Sequence, residues 1–133
     1  MSGDLLVPIR ADADVLLARQ KARELAKSLR FSASELTLIA TAISEVARNI
    51  VAYAKQGEIL LRLVTQGRRR GIRVVAQDQG PGIADISRAM QDGYSTSSSL
   101  GLGLPGSRRL MDEFDIVSEL GKGTRITMTK WER

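Results

Sequence analysis

The sequence predicts an α/β (α+β) two-layer sandwich, with one mixed, mostly antiparallel sheet covered by about three helices. Two long segments with 3.6-residue apolar periodicity occupy the first half of the chain. Two pairs of strand-like segments follow, each pair joined by a short turn that contains glycine. A third helical segment precedes the second pair. The 133 residues suffice for one domain with a real core and are too few for two, so residues 1–133 are expected to form a single domain.

In chain order, Leu5 to Arg10 reads as an opening strand. Asp12 or Asp14 can cap a first helix running to about Arg30, with Val15, Leu16, Ala22, Leu25, Ala26 and Leu29 on one side. Its other side carries Arg19, Lys21, Arg23, Lys27 and Arg30. Ser32-Ala-Ser-Glu35 is a capping box, and a second helix extends from it to about Ala54. Leu36, Ile39, Ile43, Val46 and Ile50 form the core stripe of that helix, while Leu38, Thr41, Ala42, Glu45, Asn49 and Ala52 fall on the far side. That far side holds one charge among small or apolar residues, so something other than water is expected to cover it.

Glu58–Thr65 and Ile72–Gln77 read as strands around a Gln66–Gly71 turn, with Arg68, Arg69 and Arg70 at a solvated tip. Ile83–Gln91 reads as a short helix and Asp92–Leu100 as a polar, glycine-flanked loop. A third helix is expected from near Gly103–Pro105 to about Glu113. Phe114–Leu120 and Thr124–Trp131 are strands around Gly121-Lys-Gly123.

Composition excludes several chemistries. Apolar and charged fractions of 43% and 26% are those of an ordinary soluble protein. No apolar run reads as a membrane span and no signal peptide is evident, so a cytoplasmic location is expected. Cysteine is absent, which removes disulfides, thiolate nucleophiles and zinc–cysteine sites. Histidine is absent too, which removes Ser-His-Asp chemistry, histidine metal ligands and a phosphohistidine intermediate. Any phosphoryl transfer must therefore go directly from nucleotide to an outside acceptor, or to Ser, Thr or Asp of the chain itself. The net charge of +5 suits nucleic acid or an acidic protein partner. With only 4% aromatics there is little to stack bases on, and nucleic-acid binding is not expected.

The chemistry sits in three pieces. Glu45 and Asn49 are one turn apart on the second helix, where a covered carboxylate can act as general base and an amide oxygen can hold Mg²⁺ beside phosphates. Asp78-Gln-Gly80-Pro-Gly82 ends a strand, and Gly101-Leu-Gly103-Leu-Pro-Gly106 opens a helix. Glycines let backbone amides approach phosphate, and a helix N-terminus favours it. Each piece alone has a plainer explanation: a surface glutamate, a turn-capping aspartate or a glycine linker. Their joint occurrence points to a nucleotide site with Mg²⁺. No Gly-Lys-Ser/Thr P-loop and no early Gly-x-Gly-x-x-Gly turn is present. Arg108 and Arg109 fit either a phosphate contact or a helix surface.

The order of these pieces resembles the GHKL (Bergerat-fold) superfamily. Ser44-Glu45-Val-Ala-Arg-Asn49 is similar to its N-box, Asp78–Gly82 to its first glycine box and Gly101–Gly103 to its second. Asp92-Gly-Tyr-Ser-Thr96 and Gly101–Gly106 most resemble the small protein serine/threonine kinases of bacterial sigma-factor regulation, of the stressosome switch (RsbT) type.

The resemblance implies a Bergerat ATP-binding fold and direct use of Mg-ATP. It implies that Glu45 polarises the attacking hydroxyl and that Asp78 accepts from the adenine amino group. A carboxylate only accepts, so a guanine carbonyl would leave it unpaired. It further implies that Ile83 lines the base pocket, that Thr124 lies near adenine and that Tyr94–Ser99 form an ATP lid. The implied partners are STAS-domain substrates and a PP2C-type phosphatase activated by docking, with Arg19 on the first helix as the partner contact. An anti-sigma factor kinase that sequesters a sigma factor is the nearest rival, and a non-catalytic ATP-binding adaptor is the other.

Overall fold

The structure, a computed structural model, describes residues 4–82 and 103–133. The expected Ile83–Gln91 helix and Asp92–Leu100 loop lie outside the described residues. Five strands form one sheet in the order β1-β2-β3-β5-β4. They are β1 (Leu5–Ile9), β2 (Gly57–Gln66), β3 (Arg69–Asp78), β4 (Glu113–Glu119) and β5 (Gly123–Trp131). Every described pairing is antiparallel. Three helices, α1 (Asp12–Leu25), α2 (Ala33–Asn49) and α3 (Gly103–Leu110), complete the described part of the sandwich.

Local chemistry explains the element ends. Asp14 Oδ2 accepts from the backbone N–H groups of Arg10 (2.8 Å) and Ala11 (3.1 Å), closing the first turn of α1. The α1 helix stops at Leu25 and continues as one 3₁₀ turn to Ser28, short of the expected Arg30, whose backbone N–H is bonded to Glu132 Oε2 instead. The capping box of α2 is realised in both directions. Glu35 N–H donates to Ser32 Oγ at 3.0 Å, and Ser32 N–H donates to Glu35 Oε1 at 2.9 Å.

After Asn49 the helix widens into a π turn, Ile50–Ala54, and is broken at Lys55 with φ 71°. Ala33–Ala54 spans 22 residues and contains an 18-residue window of mean hydropathy 1.2, long and apolar enough for a bilayer by length and composition, contrary to the sequence reading. Here it is the core helix, packed against α1 and α3.

Two boundaries differ from expectation for reasons visible in the packing. The β2–β3 hairpin closes on Gly67-Arg68 alone, since Gln66 pairs with Arg69 and Gly67 takes φ 62°. Arg69 and Arg70 are thereby recruited into β3, where Arg69 stacks 4.3 Å from the Trp131 ring and Arg70 bonds Glu132 at 2.9 Å. The α3 helix ends at Leu110 rather than Glu113. Asp112 N–H turns to the Thr129 carbonyl (3.0 Å), and buried Lys130 Nζ takes the Leu110 carbonyl at 2.9 Å.

Alternation puts Ile59, Leu61, Ile72, Val74, Ala76, Ile126 and Met128 in the core with Ile39, Ile43, Val46 and Ile50 of α2 and its following turn. The expected one-sided stripe of α2 is too narrow. Ala42, Ser44, Glu45 and Ala47 are buried as well, because α1 and α3 flank the helix. Protein already closes much of the face that was expected to await a ligand.

Candidate active site

The site grows from the C-terminal half of α2 and the sheet end beside it. Glu45 is 5% exposed although it is charged. Its Oε2 accepts from Arg48 Nη1 at 3.0 Å, three residues on along α2. Its Oε1 is buried and is the one such side-chain oxygen without a hydrogen-bond partner among the described residues. Leaving a buried polar atom unpaired costs free energy, so an orphan of this kind marks a place where an outside donor fits. Asn49, half-buried, ends α2 where the π turn begins.

That widened turn ties the helix to β3. A Cβ on Gly80 would collide with Ala54 at the end of the turn, and Gly57 lies wedged between Ile50 and Asp78. Glycine at these points lets the helix end and the Asp78–Gly82 turn touch. Asp78 serves as the turn cap, since its Oδ1 accepts the Gly80 backbone N–H at 2.8 Å. Its other oxygen, Oδ2, has no protein partner among the described residues. The capping role thus occupies one oxygen of the carboxylate and leaves the other open among the described residues.

The next layer comes from the β4–β5 hairpin. Thr124 pairs in register with Asp78 on one side and with Ser118 on the other. All three fall on the helix-facing side of the sheet, one step beyond Ala76, Ile126 and Ile116. Ser118 Oγ lies 2.8 Å from Thr124 Oγ1 and donates to the Gly123 carbonyl at 2.9 Å. Gly121 N–H donates to the Pro81 carbonyl at 2.7 Å, which binds the hairpin tip to the Asp78–Gly82 turn.

Gly82 (φ 78°) and Gly123 (φ 88°) need their missing Cβ atoms for this contact. Side chains there would strike the carbonyl oxygens of Glu119 and Asp78 respectively. A groove of about 310 Å³ at this corner is lined by Gln77, Val117 and Arg125 from the opposite face of the sheet as well as by Asp78, Ser118 and Thr124.

The third piece is α3, which packs on α2. Gly106 lies within this helix, buried, with Gly103 at the first helical position and Pro105 in the first turn. Leu104 and Ser107 are the buried anchors. Arg108 and Arg109 are exposed in the last turn, the end whose dipole favours cations. Ile83 and Gly101 lie outside the described residues. Arg19 is exposed on α1, which contributes none of the groove lining.

The pieces between the end of β1 and the last hairpin form one recognisable unit when they are taken together. Residues 9–130 match the model of the histidine kinase-like ATPase domain. The chain belongs to the histidine kinase-like ATPase family.

Within this family the chain is similar to the serine/threonine-protein kinase RsbT of Bacillus subtilis, at 47% identity over 133 residues, covering 100% of both chains. It is also similar to the anti-sigma F factor of a Thermoanaerobacter species, at 33% identity over 86% of this chain and 82% of that one. The crystal structure of the RsbU and RsbW domains of a Mycobacterium tuberculosis protein has the same fold, with a TM-score of 0.68 at 21% identity. That match covers 98% of this chain and 33% of the other. Full-length identity of 47% to a serine/threonine kinase supports protein serine/threonine kinase activity for this histidine kinase-like ATPase, with ATP as phosphoryl donor.

Sequence reasoning missed two members of the site. Ser118 follows Phe114 and Ile116 in the inward alternation of β4, and a serine in that series was the available signal. Arg48 was passed over because a charged residue on a helix is ordinarily a solvated one.

Proposed function

We propose that this chain uses Mg-ATP to phosphorylate a serine or threonine hydroxyl on a STAS-domain regulator. On release from that partner it docks on and activates a PP2C-type phosphatase. The observation that carries the catalytic part is the Glu45 carboxylate, buried and with Oε1 unpartnered. In this reading Glu45 Oε1 takes the proton of the acceptor hydroxyl as that oxygen forms its bond to the γ-phosphorus. The bond from γ-phosphorus to the bridging oxygen breaks, and ADP leaves with the electron pair.

Asn49 supplies an amide oxygen suited to Mg²⁺, an ion that prefers oxygen donors and is commonly shared between a few protein atoms and phosphates. Oδ2 of Asp78 is the acceptor for the adenine amino group, beside Thr124. Gly80 and Gly82 act by shaping the pocket wall, and the N-terminus of α3 faces phosphate.

The anti-sigma F factor relatives at 33% identity favour a second reading, in which the chain binds a sigma factor and phosphorylates its antagonist. A purely structural role for ATP fits poorly with a base at Glu45. The deciding experiment is transfer of γ-labelled phosphate from ATP to a purified STAS-domain protein, with Glu45→Gln as control. Transfer by the parent and about 10²–10⁴-fold less by the variant is the expected result. Equal transfer by both removes Glu45 from the mechanism, and capture of a sigma factor without transfer to the STAS protein favours the second reading.

A further inference from the structure

Arg48 and Glu45 form an asymmetric pair. The Glu45 side chain is 7% exposed and the Arg48 side chain 49%, with Nη1 to Oε2 at 3.0 Å. An exposed pair three residues apart on a helix contributes little. Here one member is buried, and a buried carboxylate without a cation is strongly disfavoured. The two carboxylate oxygens differ sharply. Oε2 is held by Arg48, whereas Oε1 is buried and unpartnered. A free carboxylate can rotate and exchange its oxygens, and an anchored one cannot without breaking the guanidinium bond.

We infer that Arg48 is the positioning residue of the catalytic base: it clamps Oε2 so that Oε1 stays turned toward the acceptor hydroxyl. This rests on the reading of Glu45 as base. Arg48 bonds the carboxylate and acts through Glu45. The clamp matters most for turnover, since misplacing a reacting group by about 1 Å can cost on the order of 10²-fold. It is expected to show in kcat rather than in ATP affinity, because the bond Arg48 makes is to the Glu45 carboxylate.

A double-mutant cycle on the intact kinase, with ATP and a STAS-domain substrate, separates this from a merely structural ion pair. Arg48→Met is expected to lower kcat about 10- to 100-fold while the KM for ATP stays within about twofold. Arg48→Lys, which restores a cation, is expected to recover part of kcat. Glu45→Gln/Arg48→Met is expected to turn over no more slowly than Glu45→Gln alone, because Arg48 has nothing left to position. If Arg48→Met does not fold, Arg48→Gln carries the same comparison, with folding checked by thermal denaturation. Parental kcat in a folded Arg48 variant overturns the inference. So does a double variant slowed by the product of the two single effects. Parental kcat in Glu45→Gln instead overturns the reading of the base, and the inference with it.

Discussion

Thr124 stands directly across from Asp78 between β5 and β3, although 46 positions of sequence separate them. The pairing joins the residue after Gly121-Lys-Gly123 to the residue before the Gly80 turn, on the wall of one groove. Ser118, next in the same row, holds the Thr124 hydroxyl from the far side at 2.8 Å. These three side chains therefore stand in a row across three strands rather than on a loop, and strands hold side chains more rigidly than loops do.

Asp78→Asn tests the ligand role of this row. Asparagine keeps the oxygen that accepts Gly80 N–H, so the turn persists, but it replaces Oδ2 with a donor. ATP is expected to bind about 10- to 100-fold more weakly, the range for losing a hydrogen bond to a charged acceptor. Calorimetric titration with an unchanged melting curve checks both halves, and parental affinity rules out an adenine contact.

Gly123→Ala tests the packing of the hairpin on the Asp78–Gly82 turn. Gly123 has φ 88°, and a Cβ there meets the Asp78 carbonyl. Strain at positive φ costs on the order of 1–3 kcal/mol, and the collision adds to it. A melting temperature lower by several degrees, together with weakened ATP binding, is the expected outcome. An unchanged melting curve would show that the contact does not matter.

Asn49→Ala removes the amide at the end of α2. Mg²⁺ is expected to stop tightening ATP binding, while any metal-independent affinity remains. Titrations with and without Mg²⁺ decide, and a parental Mg²⁺ effect in the variant assigns the ion to another residue.

Glu132 is expected to contribute to the loss of stability on the acid side. Its hydrogen bonds from Arg70 hold its carboxyl below the ordinary glutamate value of 4.5, with a further bond from the Arg30 backbone N–H. A lowered folded value stabilises the fold above the unfolded value and loses that contribution as pH falls through the folded one. Glu132→Gln is therefore expected to destabilise at pH 7 and to flatten the decline below about pH 4.5. Denaturant melts across pH 3 to 7 measure it, and parallel curves for parent and variant would exclude the linkage.

Arg19→Glu tests the basic face of α1. Phosphorylation of a STAS substrate is expected to slow several-fold and to become less dependent on salt, with ATP affinity intact. Equal rates at low ionic strength would place the partner elsewhere.

By itself the amino-acid sequence determined the types of the described elements, the α2 capping box, the two glycine hairpins and Glu45, Asn49 and Asp78 as residues to watch, whereas Thr124 was singled out only by the family resemblance. These are local patterns, set by periodicity of 2 or 3.6 residues and by turn chemistry, and they are legible within a dozen positions. Tertiary structure decided what those residues meet. Only the packing of α1 and α3 buried Glu45 on the side that periodicity assigned to a ligand. Only closure of the hairpin on Gly67-Arg68 drew Arg69 and Arg70 into β3. Only the registers of β3, β5 and β4 put Ser118 beside Thr124 and Thr124 opposite Asp78. The physical reason is that register and burial depend on contacts between segments far apart in the chain, which close only when the whole sheet and its helices are in place.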